Sequence, residues 1–293
     1  MTVLVVGEAL IDVVHHLDGS VEEHAGGSPF NVAIGLARLG VSTELAAQFG
    51  PDEHGGLLIG ALERSGVGRS LVDASERTST AIATMDAAGN ATYEFDLTWA
   101  PAELPDPTRY EAIHVGSLGT FVEPGASRVA ELVLSADALG VPVSFDPNVR
   151  PTIDPDGDAW VSAFRRVETH ARIVKMSDAD AELLFPGTDP EQVVRDLARA
   201  GHLAVVTRGG EGAVAAVGSS LVSVEPGPIE VVDTIGAGDS FMAAMLAWHA
   251  TYDWPAPNEL DEAELHDLLS YAAKAAAITC SRPGADPPWL EDL

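Results

Sequence analysis

Short hydrophobic runs rich in β-branched residues alternate along the chain with longer stretches in which apolar residues have helical spacing. The short runs predict strands and the longer stretches predict helices. The predicted strands are Val3–Gly7, Thr43–Phe49, Ala112–Val115, Val141–Phe145, Arg172–Lys175 and Leu203–Thr207. The predicted helices are Asn31–Leu39, Glu53–Ser65, Gly125–Leu139, Pro190–Ala200, Gly238–Tyr252 and Glu262–Ser281. This alternation predicts an α/β fold with a mostly parallel sheet and helices on both of its faces.

Two segments break the alternation. Ile11–Glu23 and Thr80–Leu97 have the pattern of extended, hairpin-forming strands, and the sequence AAGNA at Ala87–Ala91 suits a hairpin loop. We expect these strands to form a small β-appendage at the edge of the main sheet. Such an appendage would serve either as a lid over a substrate site or as a dimer contact.

The size and charge of the chain restrict its class. Its 293 residues, 46% of them hydrophobic, allow one large α/β domain or one domain with a small appendage. A formal charge of −29 argues against nucleic acid or an anionic membrane as partners, because both require a basic face. With only 16 Lys and Arg residues, a bound phosphate must be held mostly by backbone amides, helix ends and a metal.

The start of the chain and its single cysteine indicate where the protein works. The apolar N-terminus contains Glu8 and Asp12 and lacks a basic leader, so it predicts a first strand rather than a signal peptide. Since no apolar run reaches membrane length, we expect a cytoplasmic protein. Cys280 cannot form an intrachain disulfide and is expected to be a buried, inert thiol.

The stretch VVDTIGAGDSFMAAML, Val231–Leu246, places an acid directly after a glycine-rich turn. The Gly-Ala-Gly turn leads into a helix, whose first N–H groups and positive dipole end can bind an anion. Asp239, in the first turn of that helix, is placed to take a proton from an attacking hydroxyl. An anion site beside a base is the minimum that phosphoryl transfer requires, whereas helix capping is the structural alternative for Asp239.

A second glycine-rich stretch, AGGSPFNVAIGLARLG, lies near the N-terminus. Its paired glycines allow close approach to a ligand, and Ser28 and Pro29 suit the start of a helix with Asn31 in its first turn. Two interpretations stand side by side. The stretch is an ordinary capped strand–helix connection, or Gly27 and Asn31 bind a polyhydroxylated ligand.

Together, the GG-x-x-x-N and DTIGAGDSF motifs resemble the ribokinase (PfkB) family of carbohydrate kinases over essentially the whole chain. The segments GEALIDVV, VGSLGTFVEPG, FDPNVRP and VKMSDADAELL are most similar to fructokinases and 2-keto-3-deoxygluconate kinases. The resemblance implies a single ribokinase-like domain over residues 1–293. Its expected fold is a three-layer α/β/α arrangement with a mostly parallel central sheet and a small β-strand lid.

The resemblance also implies the reaction, which is transfer of the γ-phosphoryl group of ATP to a sugar hydroxyl. Fructose is the first expected substrate, followed by 2-keto-3-deoxygluconate and then by ribose or a nucleoside. A non-catalytic sugar-binding protein of kinase ancestry is the alternative from a different class. Mg²⁺ is the expected cofactor, family members often bind a monovalent cation such as K⁺, and a homodimer through the lid is a family expectation.

The resemblance assigns roles to individual residues. Asp239 would be the base, and Ile235, Gly236, Ala237 and Gly238 would form the anion hole for the transferred phosphoryl group. The sugar would be held by Asp12, Gly26, Gly27 and Asn31. ATP would lie along Thr207, Gly209 and Gly212, with Gly238 also against its phosphates. The monovalent cation would lie near Asp233, Ile235, Thr279, Arg282 and Gly284.

Three further residues carry charges suited to a kinase site. Arg150 could bind a carboxylate or a phosphate in bidentate fashion, so it does not distinguish between candidate substrates. Lys175 ends a predicted strand, where active-site groups of open α/β sheets gather, and is assigned to ATP. Many family members carry Asn-x-x-Glu, a motif that organises Mg²⁺, where this chain has Ser177-Asp-Ala-Asp180. Asp180 therefore either organises Mg²⁺ or only caps a helix.

Other site classes lack their motifs. The chain has no GxxxxGK[ST] loop, no GxGxxG after a strand and no HExxH or Cys/His zinc spacing. Gly238-Asp239-Ser240 is similar to the start of some esterases, in which Ser240 would be the nucleophile. That reading requires a later D-x-x-H, which this sequence does not contain.

Overall fold

The computed structural model describes residues 2–69, 71–85, 91–227 and 229–293. The strands are β1 Val3–Val6, β2 Leu10–His15, β3 Val21–Gly26, β4 Thr43–Ala46, β5 Gln48–Phe49, β6 Asp73–Ala74, β7 Ser79–Met85, β8 Ala91–Asp96, β9 Ala112–Gly116, β10 Val143–Asp146, β11 Ile173–Ser177, β12 Leu203–Thr207, β13 Ala213–Val217 and β14 Ser220–Val224. The helices are α1 Ser28–Arg38, α2 Glu53–Ser65, α3 Gly125–Leu139, α4 Gly157–Glu168, α5 Asp178–Leu184, α6 Pro190–Arg199, α7 Ala237–Thr251 and α8 Glu262–Cys280.

The central sheet has eight strands in the order β14-β13-β12-β11-β10-β9-β1-β4. The six strands from β12 to β4 pair in parallel, and β13 and β14 extend the sheet as an antiparallel hairpin. Because side chains alternate between the two faces of a strand, Val3 and Val5 pack into one apolar cluster while Leu4 and Val6 pack into another. Helices α1, α7 and α8 cover the first face, and α3, α4 and α6 cover the second. The predicted three-layer α/β/α class is confirmed.

A second, smaller sheet grows from the carboxyl end of β1, with the strand order β3-β2-β7-β8. The segment predicted as extended over Ile11–Glu23 is a hairpin, in which β2 and β3 are antiparallel. The segment predicted over Thr80–Leu97 supplies β7 and β8, also antiparallel. The loop predicted at Ala87–Ala91 lies outside the described residues, apart from Ala91 at the start of β8.

Some predicted boundaries and elements were wrong. The single strand predicted over Thr43–Phe49 is divided, because Gln48–Phe49 leaves the central sheet and pairs with Asp73–Ala74. Helix α1 begins at Ser28 rather than Asn31, with Gly27 as its N-cap and Pro29 in its first turn. Helices α4 and α5 and the β13–β14 hairpin were not predicted from the sequence. Within the part of the chain that the structure describes, no helix is long and apolar enough to cross a membrane.

Candidate active site

A cavity of about 810 Å³ lies at the carboxyl ends of the parallel strands, where open α/β sheets bind their ligands. Its floor includes Lys175 near the end of β11 and Thr207 at the end of β12. The second sheet contributes Asp12 and Ala81 to the wall, and Ser28 comes from the start of α1. The topology thus brings both glycine-rich stretches of the sequence to one cavity.

Asp239 lies where these two stretches meet. Gly236 adopts the left-handed conformation with φ 73°, which turns the chain into α7 and places Asp239 in the first turn of this helix. Asp239 is 8% exposed and lines the cavity. Ser28 Oγ donates to its Oδ1 at 2.7 Å, and Asn31 Nδ2 donates to its Oδ2 at 2.8 Å. Two neutral donors from α1 therefore fix the orientation of this carboxylate.

The paired glycines make room for neighbouring groups. Gly27 has φ 104°, and a Cβ placed there would lie 2.7 Å from the carbonyl oxygen of Glu8. A Cβ at Gly26 would overlap Oδ2 of Asp12. Backbone packing and a positive φ therefore require glycine at position 27, which also lines the cavity, whereas a Cβ at Gly26 would displace only the end of the Asp12 side chain.

Two further carboxylates face the side of the cavity next to the second sheet. Glu8 is 6% exposed, and its Oε2 accepts a hydrogen bond from Gly119 N at 2.9 Å. Burial raises the pKa of Glu8 to about 7. Burial also raises the pKa of Asp12 to about 6, with a smaller contribution from the charge of Asp239. Glu8 was not predicted as a site residue, although its position directly after the first strand was a signal for it.

Arg150 is the cation on this side of the cavity. Arg150 is exposed, and its Nη1 donates to the carbonyl oxygens of Asn148 and Val149, each at 3.1 Å. The guanidinium charge lowers the pKa of both Glu8 and Asp12, although burial dominates at each carboxyl. The predicted charged partner of the substrate is thus brought to the acidic part of the cavity.

The turn before α7 forms the other side of the cavity, lined by Ile235, Gly236, Ala237 and Gly238. The N–H groups at the start of a helix have no partners within that helix, so those of α7 are available to an anion in the cavity. Lys175 lies beneath this turn, since a Cβ at Gly238 would lie 3.0 Å from Lys175 Nζ. The predicted anion hole therefore combines a helix N-terminus with an adjacent ammonium group.

The predicted ATP residues Thr207, Gly209 and Gly212 line the same cavity. Helix α8 faces them with the small apolar side chains of Ala273, Ala276 and Ala277, together with Cys280. Cys280 is half-buried rather than buried, and its pKa is raised by burial and by the charge of Asp233. A cavity lined by small apolar residues and glycines suits the apolar ring of a nucleotide base.

Asp180 forms a reciprocal capping box with Ser177, which confirms the capping role predicted for it. Its Oδ2 accepts from Ser177 N at 2.9 Å and from Ser177 Oγ at 2.7 Å. Its Oδ1 accepts from Val149 N at 2.8 Å, so the side chain also fixes the loop that carries Arg150. Asp180 lines the cavity, and its role toward Mg²⁺ stays a prediction.

The residues predicted for a monovalent cation are adjacent in space. Asp233 Oδ1 accepts from Ile235 N at 3.0 Å, and Oδ2 accepts from Gly284 N at 2.8 Å. These backbone hydrogen bonds lower the pKa of Asp233 and keep it ionised.

Thr279 is fully buried, and its Oγ1 donates to Ser240 Oγ at 2.7 Å. Ser240, on α7, is therefore buried against α8 and is not exposed as the nucleophile of an esterase would be. Arg282 pairs with Asp286 and Asp292.

A helix N-terminus beside an oriented carboxylate, in a three-layer α/β/α fold, is the arrangement expected of a phosphotransferase that acts on an alcohol group. The chain belongs to the pfkB family of carbohydrate kinases, whose model matches residues 2–292. The predicted family and the predicted class of sugar kinase are thereby confirmed.

Relatives of this chain agree with the family assignment. It is 30% identical over 303 residues to a fructokinase from Salmonella typhimurium, which covers 99% of this chain and 97% of the relative. The structure of a fructokinase with bound ATP from Xylella fastidiosa matches with a TM-score of 0.85 at 25% identity, over 100% of this chain and 94% of that one. A fructokinase double mutant from Vibrio cholerae O395, solved with fructose, ADP and potassium ion, has the same fold at 24% identity and a TM-score of 0.82, over 97% and 93% of the two chains.

Proposed function

We propose that this protein is a fructokinase, which transfers the γ-phosphoryl group of ATP to a primary hydroxyl of fructose. The observation that carries the proposal is the Asp239 carboxylate, held by Ser28 and Asn31 on one side of the cavity and next to the anion hole on the other. The similarity to fructokinases over nearly the whole chain supports fructose as the acceptor.

In this proposal the chemistry follows from positions. Asp239 accepts the proton of the attacking hydroxyl, which is worth about 10²–10⁴ in rate for a well-placed base. The N–H groups of the turn before α7 stabilise the charge on the transferred phosphoryl group. Alignment of the hydroxyl with the γ-phosphorus contributes about 7–11 kcal/mol, because it removes the entropy loss from the reaction step.

The charges on the sugar side favour a neutral acceptor. Asp12 and Asp239 line this part of the cavity together with Glu8, which a pKa of about 7 leaves about half ionised at neutral pH, and Arg150 is the cation among them. Carboxylates accept hydrogen bonds from sugar hydroxyls but repel another carboxylate. Fructose, which is neutral, therefore fits better than 2-keto-3-deoxygluconate, which is an acid.

Mg²⁺ fits the phosphate side when the nucleotide supplies most of its ligands. The described residues contain no group of three acidic, His or Cys side chains arranged to hold a metal by themselves. Mg²⁺ usually keeps several waters and is bound by few carboxylates together with substrate phosphates. In the proposal Asp180 orients those waters, and the ion neutralises phosphate charge.

A monovalent cation fits beside the anion hole. Asp233 is ionised and has no cationic side chain paired with it among the described residues, whereas Arg282 is paired elsewhere. In the proposal the carbonyl oxygens of Ile235, Thr279, Arg282 and Gly284 hold K⁺ together with Asp233. Its charge would then stabilise the turn that forms the anion hole.

The second sheet is proposed as a lid of a single kinase domain. Leu10, Asp12, Ala81 and Phe95 reach the cavity from its strands. Closure over bound sugar would exclude water and limit hydrolysis of ATP. A dimer through this sheet and a cytoplasmic location complete the proposal, the latter because ATP is the phosphoryl donor.

A coupled assay of ATP consumption tests the proposal. The panel contains fructose, 2-keto-3-deoxygluconate, ribose and adenosine, each with Mg²⁺ and with or without K⁺. We expect fructose to give the highest kcat/KM and K⁺ to increase it. A higher kcat/KM with 2-keto-3-deoxygluconate would contradict the charge argument. If no sugar is turned over while one raises the melting temperature, the protein is a binding protein.

A further inference from the structure

A buried ion pair lies beneath the anion hole, and its acidic member has no role in the reaction described so far. Lys175 Nζ donates to Asp146 Oδ2 at 2.7 Å. The two residues are 4% and 1% exposed, on the neighbouring parallel strands β11 and β10. A buried ion pair is not by itself stabilising, because the loss of hydration offsets the attraction between the charges. The pair therefore calls for a functional explanation.

The ammonium group of this pair is directed at the phosphate side of the cavity. Lys175 lines the cavity, and its Nζ lies close to Gly238 in the first turn of α7. A lysine side chain is a flexible stem that ends in a point charge, so its direction depends on its neighbours. The hydrogen bond to Asp146 holds the ammonium group next to this turn and limits where that group can go.

Four charged or titratable groups surround Lys175, each on a different element. They are Asp146 on β10, Asp180 on α5, Asp239 on α7 and His114 on β9. The carboxylate of Asp180 accepts hydrogen bonds from Val149 and Ser177. The carboxylate of Asp239 accepts hydrogen bonds from Ser28 and Asn31. Asp146 alone among these four groups makes a direct hydrogen bond to the ammonium group within the described part of the chain.

The protonation states agree with this geometry. Burial alone would lower the pKa of Lys175, but the carboxylates led by Asp146 raise it above its ordinary value. Burial lowers the pKa of His114 to about 3, so His114 is neutral and does not repel the ammonium group at neutral pH. Burial raises the pKa of Asp146 to about 6 despite the opposing effect of Lys175, so Asp146 is ionised in the neutral to alkaline range.

We propose that Asp146 is a positioning residue, whose carboxylate keeps the Lys175 ammonium group charged and directed at the phosphoryl group in the anion hole. The proposal rests on the proposed function in one respect, namely that the anion is the phosphate chain of ATP. It explains how a chain with only 16 Lys and Arg residues provides a reliable cation at this position. Without Asp146, burial would lower the pKa of the Lys175 ammonium group, opposed by the charges of Asp239 and Asp180 alone among the carboxylates named above.

The test is the variant Asp146→Asn, which keeps a hydrogen-bond acceptor and removes the charge. Its kcat/KM for ATP is measured between about pH 7 and pH 10, where a lysine that has lost its counter-charge deprotonates. In Asp146→Asn we expect the loss of kcat/KM at alkaline pH to begin at least about one pH unit lower than in the wild type. At a pH above both transitions, each unit of this displacement lowers kcat/KM about tenfold relative to the wild type. The KM for the sugar should stay within about twofold, because the sugar side is not changed.

Two further variants separate positioning from a structural role. Asp158→Asn, which makes the same change at an exposed acid in the first turn of α4, is the control and should keep the wild-type pH profile. Lys175→Met removes the titrating group, so its activity should be low and should lack the shifted alkaline loss. Adding Asp146→Asn to Lys175→Met should then have little further effect, because the carboxylate acts through the lysine.

The result that would overturn the proposal is an Asp146→Asn profile identical to that of the wild type, or a Lys175→Met variant with a normal KM for ATP. Binding of a non-hydrolysable ATP analogue, measured by calorimetry at about pH 7 and pH 9, keeps this test independent of the sugar. A loss of affinity that is larger at the higher pH supports the proposal even if the wild type phosphorylates no sugar in the panel. If Asp146→Asn does not fold, an unchanged analogue affinity in Lys175→Met overturns the proposal.

Discussion

Glu8 should make the stability of this protein depend on pH in a direction opposite to that of an ordinary surface carboxylate. It is 6% exposed, and burial raises its pKa from 4.5 to about 7. The folded protein therefore binds a proton more tightly than the unfolded chain does. The stability associated with this proton is fully present below about pH 4.5 and is lost as the pH rises through about 7.

The magnitude follows from the size of the shift. A change from 4.5 to about 7 in the pKa of Glu8 corresponds to about 3 kcal/mol, at about 1.4 kcal/mol for each unit. This energy needs little reduction for screening by solvent, because the Glu8 side chain is buried. The variant Glu8→Gln keeps a similar shape and removes the titration, so it should gain up to about 3 kcal/mol relative to the wild type between pH 5 and pH 8.

The assay is urea unfolding of both proteins at these two pH values, with the difference in unfolding free energy as the readout. The large negative charge of the chain changes with pH in both proteins, so its effect largely cancels in this difference. Glu103→Gln, which removes an exposed carboxylate, is the matched control for loss of one charge. A difference between wild type and Glu8→Gln that is the same at both pH values would refute the reasoning.

Three further predictions follow from single contacts. Asn31→Ala should lower kcat about tenfold or more, because it removes the hydrogen bond that orients the Asp239 carboxylate and a hydrogen bond to a charged group is worth about 1.5–3 kcal/mol. Steady-state kinetics that show only a higher KM for the sugar would contradict this prediction. Gly212→Ala should lower the unfolding free energy by about 1–3 kcal/mol, because the residue has φ 83° and its Cβ would overlap the carbonyl of Val224; thermal unfolding measures this. Asp233→Asn should reduce activation by K⁺ and leave activity without K⁺ nearly unchanged, as a K⁺ titration would show.

Most of the fold could be predicted because its signals are local. The alternation of Val3, Leu4, Val5 and Val6 between two apolar clusters is the pattern of a strand buried on both faces. The division of Thr43–Phe49 could not be predicted, because β5 pairs with a two-residue strand that has no pattern of its own. Helix α4 has 12 residues and buries Trp160, Phe164 and Val167 at helical spacing, a pattern that was overlooked in the sequence. Strand β13 was missed because its alanines carry little strand preference.

The candidate site was predictable where a motif carries it. The glycine turn before Asp239 and the paired glycines before Ser28 each identify one side of the cavity from the sequence alone. The hydrogen bonds that join the two sides, from Ser28 and Asn31 to Asp239, depend on the packing of α1 against α7 and have no local signal. The same is true of Lys175 and Asp146, since a pair on adjacent strands is defined by sheet order rather than by spacing.

Asp239→Asn tests the central claim most directly. The substitution keeps both hydrogen bonds to α1 within reach and removes the group that accepts the proton. Binding of ADP and the unfolding temperature should be close to those of the wild type, whereas kcat with fructose should fall by about 10²–10⁴. Asp158→Asn, in the first turn of α4 on the protein surface, controls for loss of an acid at a helix start. A kcat for Asp239→Asn within about threefold of the wild type would contradict the assignment of Asp239 as the base.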